Sequence, residues 1–284
     1  MEKLTKDSKI TLNNGVKMPV IGVGTYKTPD GDEVMHEVSW ALAAGYRLID
    51  TAKIYKNEEG VGKAIKDSGI PRSELFVTTK LWNPDQGYES GLAAIDESLG
   101  KLGMDYVDLY LVHWPTASAD TSVSDNRRAE TWRAMEEIYK SGKAKAIGVS
   151  NYTITHLEEM KGYMTVPPTV NQVEFHPFLF QKELLDYCME HKIVLNAYKP
   201  LTGAKLIENP AIENIGKKYN KSIAQVLIRW SIQHGALPIP KSVHKERIEE
   251  NLNIFDFELS AEDMKALDAL NQNLRTSPDP SILK

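Results

Sequence analysis

The amino-acid sequence predicts an α/β protein whose fold is a (β/α)8 TIM barrel with an N-terminal β-hairpin and extra helices. Eight short apolar segments alternate with longer segments in which apolar residues recur at helical spacing. The apolar segments are almost uninterrupted, which is typical of parallel strands that helices cover. Because eight such units follow one another, we expect the sheet to close into a barrel.

The predicted hairpin occupies residues 9–20, since alternating residues flank Asn14-Gly15, a dipeptide that favours a type I′ turn. The first barrel strand is predicted at 20–24 and the first helix at 32–44. The other strands are predicted at 46–50, 75–80, 106–113, 144–150, 169–173, 193–198 and 236–240. The other helices are predicted near 57–68, 88–101, 130–141, 153–163, 181–191, 209–219, 222–234, 244–252 and 260–270.

No low-complexity linker divides the chain, so residues 1–284 are predicted to form a single barrel domain. Two polar segments, 115–130 and 271–284, stand outside the regular alternation of strands and helices. We expect both to be substrate loops that cover the site.

The composition disfavours several kinds of partner. Asp plus Glu number 39 and Lys plus Arg 34, whereas a nucleic-acid-binding module is normally basic. A single cysteine, Cys188, suits a reducing compartment, and the charged N-terminus lacks the apolar core of a signal peptide. No stretch approaches the ~18 apolar residues of a membrane span. We therefore expect a cytoplasmic protein without nucleic-acid or membrane partners, and a monomer, since nothing in the sequence demands more.

Polar residues stand at or beside the ends of seven successive predicted strands, at intervals of 22 to 43 residues. In a barrel these ends meet on one face, which is the face that carries catalysis. The residues are Asp50, Lys80, His113, Ser150 with Asn151, Gln172, Tyr198, and Lys241 with Ser242. The sequence therefore predicts one site at the carboxyl ends of the strands.

Taken singly, four residues of this site have ordinary structural explanations. Asp50 could cap a turn, although an acid that closes a buried strand needs a partner. Tyr55, five residues further on, could be a packing residue, Lys80 a solvated strand end, and His113 a core histidine. Their occurrence together, on successive strand ends and the loop between, favours a catalytic site.

These residues lie in motifs that resemble the aldo-keto reductase family. The motifs are GYRLIDTAKIYKNEEGVG at 45–62, LVHWP at 111–115, IGVSN at 147–151, NQVEFHP at 171–177 and IPKSVHKERIEEN at 239–251. The resemblance spans essentially the whole chain. It is greatest to the short bacterial members, the 2,5-diketogluconate and glyoxal or methylglyoxal reductase group, because the C-terminal tail is brief.

The resemblance implies a catalytic tetrad of Asp50, Tyr55, Lys80 and His113. Tyr55 would donate a proton in carbonyl reduction, and Lys80, held by Asp50, would stabilise the tyrosinate. His113, in its neutral form, would orient the carbonyl and donate a hydrogen bond to its oxygen.

The resemblance also implies an NADPH/NADP+ cofactor that lies extended across the barrel mouth. The implied cofactor-binding residues are Thr25, Ser150, Asn151, Gln172, Tyr198, Leu201, Lys241, Ser242, Val243, Arg247, Glu250 and Asn251. Two cations and a hydroxyl beside the last strand suit the 2′-phosphate, which favours NADPH over NADH; the alternative is a solvated helix face. A Rossmann site is rejected, because Gly22-x-Gly24 lacks the third glycine.

The aromatic residues Tyr26, Trp82 and Trp114, with His113, are predicted to wall an apolar pocket for a small carbonyl substrate; the alternative is packing at the barrel top. We expect reduction of aldehydes, small ketones and dicarbonyls such as methylglyoxal. Two alternatives remain open: a reductase specific for a keto-sugar acid such as 2,5-diketogluconate, and a cofactor-sensing module like the potassium-channel β-subunits. The second would need an N-terminal extension, and only about eight residues precede the hairpin.

Two lysines depart from the family pattern. Lys199 follows Tyr198 where many members carry serine, and could contact the cofactor phosphates as a cation. Lys53 replaces a small residue, and either projects into solvent or adds a charge at the mouth. No metal site is expected, since Cys188 and His191 have a usable spacing but no further ligands beside them.

Overall fold

The computed structural model describes residues 4–116, 126–202 and 209–282, and within these ranges eight parallel strands form one sheet in chain order. A separate hairpin pairs β1 (Lys9–Thr11) with β2 (Lys17–Pro19). The sheet consists of β3 (Val23–Gly24), β4 (Leu48–Asp50), β5 (Phe76–Leu81), β6 (Val107–Val112), β7 (Ala144–Ser150), β8 (Val170–Glu174), β9 (Val194–Tyr198) and β10 (Leu237–Pro238).

Backbone hydrogen bonds join the first barrel strand to the last. The amides of Gly22 and Gly24 donate to the carbonyl oxygens of Pro238 and Pro240, each at 3.1 Å. Gly22 has to be glycine, because a Cβ at this position would overlap the side chain of Leu48. The sheet therefore closes on itself, and the prediction of a (β/α)8 barrel with an N-terminal hairpin is confirmed.

The helices fall close to the predicted positions. They are α1 (Asp32–Ala44), α2 (Glu58–Asp67), α3 (Tyr88–Leu102), α4 (Asn126–Ser141), α5 (Ile154–Met160), α6 (Lys182–Glu190), α7 (Pro210–Tyr219), α8 (Ile223–Gln233), α9 (Lys245–Leu252) and α10 (Ala261–Asp268). None of these described helices is long and apolar enough to cross a membrane.

The predicted loop 115–130 is partly helical. α4 begins at Asn126 rather than near residue 130, and its first turn carries no large apolar residue, so helical periodicity starts later than the helix itself. Residues 117–125 of that predicted loop lie outside the described residues.

The hairpin covers the N-terminal end of the barrel. Ile10 pairs with Met18, and the fully buried Met18 packs into an apolar cluster that includes Leu48, Phe76 and Leu111. A second and larger apolar cluster fills the space between the strands and the surrounding helices. These two clusters hold the strands rigidly, so the groups at the opposite, carboxyl ends are presented on a fixed frame.

The strand register sets the carboxyl ends of neighbouring strands side by side. Ser150 of β7 pairs with Gln172 of β8, and Glu174 of β8 pairs with Tyr198 of β9. Polar side chains that are more than twenty residues apart in the chain therefore become neighbours at one mouth of the barrel.

Candidate active site

Lys80 lies at the centre of the polar residues at the barrel mouth, and its side chain is fully buried. Its ammonium donates hydrogen bonds to Asp50 Oδ1 at 2.6 Å and to the carbonyl oxygen of Thr51 at 2.8 Å. The hydroxyl of Tyr55 accepts a third, longer hydrogen bond at 3.4 Å. Three acceptors match the three N–H groups of a charged lysine, so this buried cation is satisfied.

Asp50 is held from a second side by Gln172. The Gln172 side-chain amide donates to Asp50 Oδ2 at 2.7 Å and to Asn196 Oδ1 at 2.6 Å. Asn196 in turn donates to the carbonyl oxygen of Leu237 in β10, at 2.6 Å. The carboxylate is thereby fixed by hydrogen bonds that run across the barrel from β4 to β10.

Tyr55 sits on a short 3-10 helix, Lys53–Tyr55, directly after β4. This loop is held by the buried Asn57, which accepts from the Thr51 hydroxyl at 2.8 Å. The Asn57 amide also donates to the carbonyl oxygens of Thr25 and Thr28, at 3.0 and 2.9 Å. One asparagine therefore links the loops after β3 and β4 and limits the movement of Tyr55.

His113 and three other aromatic residues complete the end of the mouth that holds the predicted catalytic residues, which we call the catalytic end. The ring centroid of His113 lies 5.9 Å from that of Tyr55 and 5.3 Å from that of Trp82. On the other side, the ring of Tyr26 lies 5.0 Å from Tyr55 and is 47% exposed. Trp114 is partly buried directly after His113. The exposed and partly buried rings leave an aromatic surface next to the Tyr55 hydroxyl.

The buried environment sets the charge states of three residues. Burial lowers the pKa of Lys80, and the Asp50 carboxylate opposes that effect. Burial, followed by the charge of Lys80, lowers the pKa of His113 well below its usual value, so the imidazole is neutral near neutral pH. Burial and the Asp50 carboxylate raise the pKa of Tyr55 well above its usual value.

The pKa of Tyr55 is raised, whereas the sequence predicts that Lys80 favours the tyrosinate and so lowers it. Burial and the Asp50 carboxylate both favour the protonated phenol, so the Tyr55 hydroxyl holds its proton more tightly than an exposed tyrosine does. The hydroxyl oxygen accepts from Lys80, which leaves its own O–H available for donation.

Lys53 neither projects into solvent nor adds an unpaired charge at the barrel mouth. Its ammonium forms ion pairs with Asp85 at 2.9 Å and with Glu97 at 2.6 Å, and its side chain is 18% exposed. Asp85 lies in the loop after β5 and Glu97 in α3. Lys53 therefore ties the loop that carries Tyr55 to the next βα unit.

Ser150, Asn151, Gln172 and Tyr198 are brought together beside the catalytic end. Tyr198 donates to Asn151 Oδ1 at 2.7 Å, and the Asn151 amide donates to the carbonyl oxygen of His113 at 2.9 Å. The Ser150 hydroxyl donates to the carbonyl oxygen of Gln172 at 2.8 Å. These side chains form a continuous polar wall from β7 to β9.

The other predicted cofactor residues lie on the rim. Thr25 is buried and donates to the carbonyl oxygen of Asp50 at 3.1 Å. Arg247 is exposed in the first turns of α9, while Ser242 is buried. Asn251 is also buried. The remaining predicted cofactor residues are partly buried: Leu201, Lys241, Val243 and Glu250.

The side chains at the mouth fit an extended anionic dinucleotide. Hydroxyl and amide groups from Ser150, Asn151 and Gln172 stand at the catalytic end, where a neutral carboxamide can be bound. The cations Lys241 and Arg247 stand in the segment that follows β10, together with the Ser242 hydroxyl. Cations and a helix N-terminus suit a phosphate group.

Three buried polar residues that support the site were not predicted. Asn57 and Asn196 carry the hydrogen bonds described above, and Glu37 of α1 accepts from the Thr28 hydroxyl at 2.6 Å. A polar residue inside an apolar segment, such as Asn196 in its strand, is the signal that could have found them. Among the described residues there is no group of three His, Cys, Asp or Glu that could hold a metal ion.

The chain belongs to the aldo/keto reductase family, whose sequence pattern matches residues 20–272. The predicted family resemblance and the prediction of an oxidoreductase of this class are thereby confirmed. The chain is 52% identical over 274 residues to the glyoxal reductase of Bacillus subtilis (strain 168), with 96% of each chain covered. It is 47% identical over 274 residues to a 9,11-endoperoxide prostaglandin H2 reductase of Trypanosoma cruzi, covering 95% of this chain and 94% of the relative.

Solved structures of the family share the fold. An aldo-keto reductase from a Medee basin deep-sea metagenome library superposes with a TM-score of 0.90 at 46% identity, covering 96% of this chain and 98% of the other. The Bombyx mori aldo-keto reductase in complex with NADP has a TM-score of 0.90 at 36% identity, covering 97% and 96% of the two chains.

Proposed function

We propose that this protein is an NADPH-dependent reductase that converts aldehydes and small ketones or dicarbonyls, such as methylglyoxal, into alcohols. One observation carries the proposal: the buried Lys80 ammonium contacts both Asp50 and Tyr55, beside a neutral His113. This arrangement offers a proton donor, a charge that stabilises the donor after the proton leaves, and a neutral hydrogen-bond donor for a carbonyl oxygen.

NADPH, when bound, supplies the hydride that reduces the carbonyl carbon. Tyr55 gives its proton to the carbonyl oxygen as negative charge develops there. Lys80, 3.4 Å from the Tyr55 oxygen, then stabilises the tyrosinate, while Asp50 holds the ammonium in place. His113 donates its single N–H to the same carbonyl oxygen and orients it.

The cofactor would be held by the wall of side chains from β7 to β10. Ser150, Asn151 and Gln172 would bind the nicotinamide carboxamide, and the Tyr198 ring would stack on the nicotinamide. Lys241, Ser242 and Arg247 would bind the 2′-phosphate, with the rest of the rim residues named above along the cofactor. The NADP complex of the Bombyx mori relative supports this assignment of the cofactor.

The aromatic surface beside Tyr55 and His113 suits a small substrate. The Tyr26 ring lies against Tyr55, the Trp82 ring lies against His113, and Trp114 follows His113 in the chain. This aromatic surface suits a small carbonyl compound. The 52% identity to a glyoxal reductase supports a dicarbonyl substrate.

The proposal is tested by following NADPH oxidation with methylglyoxal, an aromatic aldehyde and 2,5-diketogluconate. We expect turnover of the first two and a much lower kcat/KM for the sugar acid. The reverse order would replace our assignment by a keto-sugar acid reductase. Tight NADPH binding without turnover of any compound would favour a cofactor-sensing module.

Replacement Tyr55→Phe tests the proton donor, because it removes the hydroxyl and keeps the ring. We expect kcat to fall by about a thousandfold, within the usual range for loss of a general acid. The dissociation constant of NADPH, measured by quenching of protein fluorescence, should be unchanged. Retention of most of the activity would remove Tyr55 from this role.

A further inference from the structure

The C-terminal segment 271–279, which we call the strap, is fastened along one side of the barrel mouth. The backbone N–H groups of Gln272 and Leu274 donate to the carbonyl oxygen of Phe178, at 3.1 and 3.0 Å. In return the Phe180 amide donates to Asn271 Oδ1 at 3.2 Å. These contacts attach the start of the strap to the loop that follows β8.

Glu174, the last residue of β8, holds the middle of the strap. It is fully buried and accepts hydrogen bonds from the amides of Thr276 and Ser277, each at 2.9 Å, and from the Thr276 hydroxyl. Burial alone would raise the pKa of Glu174, but hydrogen bonds from His176, Thr276 and Ser277 outweigh it and lower the pKa to about 2. The carboxylate is therefore charged at every pH of interest.

Lys199, which follows β9, holds the same two strap residues from the other side. Its ammonium donates to the Thr276 hydroxyl at 3.1 Å and to the Ser277 hydroxyl at 2.8 Å. The Thr276 hydroxyl therefore donates to Glu174 and accepts from Lys199. Opposite charges on neighbouring strands are bridged through one strap hydroxyl, which strengthens both hydrogen bonds.

The fastened strap also reaches the wall of the proposed nicotinamide site. Burial raises the pKa of Tyr198, and the neighbouring Ser277 hydroxyl of the strap opposes that rise. Tyr198 donates to Asn151 Oδ1 at 2.7 Å, and Asn151 donates to the carbonyl oxygen of His113 at 2.9 Å. The strap therefore lies beside the tyrosine whose hydrogen bonds lead, through Asn151, to the backbone of His113.

We propose that Lys199 is a positioning residue that fastens the strap to β9 and so fixes one wall of the substrate pocket, instead of binding the cofactor phosphates. The fastening is argued from the observed contacts to Thr276 and Ser277. The effect on substrate binding rests on the proposed function of the site.

The fastening is tested by amide hydrogen exchange at Thr276 and Ser277 in the cofactor-free protein. Lys199→Ala and Thr276→Val each remove the bridge, and should speed exchange at Ser277 by at least about tenfold, since one charge-assisted hydrogen bond alone has that effect and each substitution removes two. The matched control is Lys192→Ala, because Lys192 has a similar left-handed backbone, with φ of 57° against 50° for Lys199, at the opposite end of the barrel. Unchanged exchange in Lys199→Ala would overturn the proposal.

The role in the pocket is tested by steady-state kinetics and cofactor titration of Lys199→Ala. We expect KM for methylglyoxal to rise severalfold, with kcat and the dissociation constant of NADPH unchanged. A weaker affinity for NADPH with unchanged KM would identify Lys199 as a phosphate ligand and contradict our inference. If the wild-type protein reduces none of the carbonyl compounds, the proposed function fails, while the exchange measurement still decides whether Lys199 fastens the strap.

Discussion

The two ends of the barrel mouth differ in how far the site is built into the fold. At the catalytic end, Lys80 is fully buried, and Asp50 is held by hydrogen bonds of 2.6 and 2.7 Å to Lys80 and Gln172. At the other end, which we propose binds the adenosine part of NADPH and call the adenosine end, Arg247 is exposed, and Lys241 is only partly buried in the segment after the two-residue strand β10. One end is rigid and already satisfied, whereas the cations of the other end face solvent.

The difference follows from what each end has to do. Stabilising charge that develops during a reaction requires dipoles and charges that do not have to reorganise. Binding a phosphate requires only that cations reach it, and a solvated arginine can adjust to do so. Substitutions should therefore affect both folding and activity at the catalytic end, but affinity alone at the adenosine end.

The largest effect should come from Lys80→Met, which leaves the Asp50 carboxylate buried without its cation. Breaking a buried ion pair costs about 3–5 kcal/mol of the free energy of unfolding. We expect that loss in urea denaturation, together with loss of reductase activity. The control Lys63→Met removes an exposed partner of Asp67 and should cost less than about 1 kcal/mol. Equal losses in the two variants would show that the burial of Lys80 and Asp50 does not make their ion pair important for stability.

Glu37 is the exception at the adenosine end, a fully buried carboxylate close to Lys241. Burial raises its pKa to about 7, against the opposing effects of the Thr28 hydroxyl, Lys241 and the Ser242 backbone, while Glu33 adds slightly to the rise. The folded protein then binds the proton more tightly than the unfolded chain does. The stability linked to this proton is complete below the unfolded pKa of 4.5 and is lost as the pH rises through about 7.

Replacement Glu37→Gln should remove this pH dependence. Urea denaturation at about pH 5 and about pH 8 should show the variant gaining on the order of 3 kcal/mol relative to the wild type at the higher pH. The control is Glu33→Gln, which makes the same change at an exposed position of the same helix. It should leave the pH dependence of unfolding nearly unchanged. A parallel pH dependence in wild type and Glu37→Gln would show that Glu37 does not take up the proton.

A smaller effect is expected from Arg247→Ala, which removes an exposed cation from the proposed 2′-phosphate site. KM for NADPH should rise by about tenfold, as for the loss of one charge-assisted hydrogen bond, while KM for NADH stays nearly the same. The free energy of unfolding should not change, in contrast to Lys80→Met. Lys245→Ala, an exposed cation in the same helix, is the matched control. Equal changes in KM for the two cofactors would remove Arg247 from the phosphate site.

The smallest effect should come from Lys53→Ala, although Lys53 lies only two residues from Tyr55. Its pairs with Asp85 and Glu97 are partly exposed, and such pairs contribute less than about 1 kcal/mol each. A double-mutant cycle with Asp85→Asn, followed by urea denaturation, measures the coupling. A tenfold fall in kcat would mean that Lys53 takes a direct part in positioning Tyr55.

Most of the fold could be predicted from the sequence, because its signals are local. Apolar spacing and turn residues placed the helices and strands within a few residues, apart from the polar first turn of α4. The strand ends that carry Asp50, Lys80 and His113 could also be predicted to share one face, since parallel barrel strands all finish at the same end.

The sequence by itself therefore determined the barrel, the family and the face on which the polar residues gather. Only the tertiary structure determined the partners of individual side chains: Gln172 donates to Asp50, Lys53 pairs with Asp85, and Lys199 donates to the strap. It also decided that burial and the Asp50 carboxylate raise the pKa of Tyr55. Hydrogen bonds and pKa values depend on separations of a few ångströms and on exclusion of water, and residues distant in the chain acquire these only when the barrel closes.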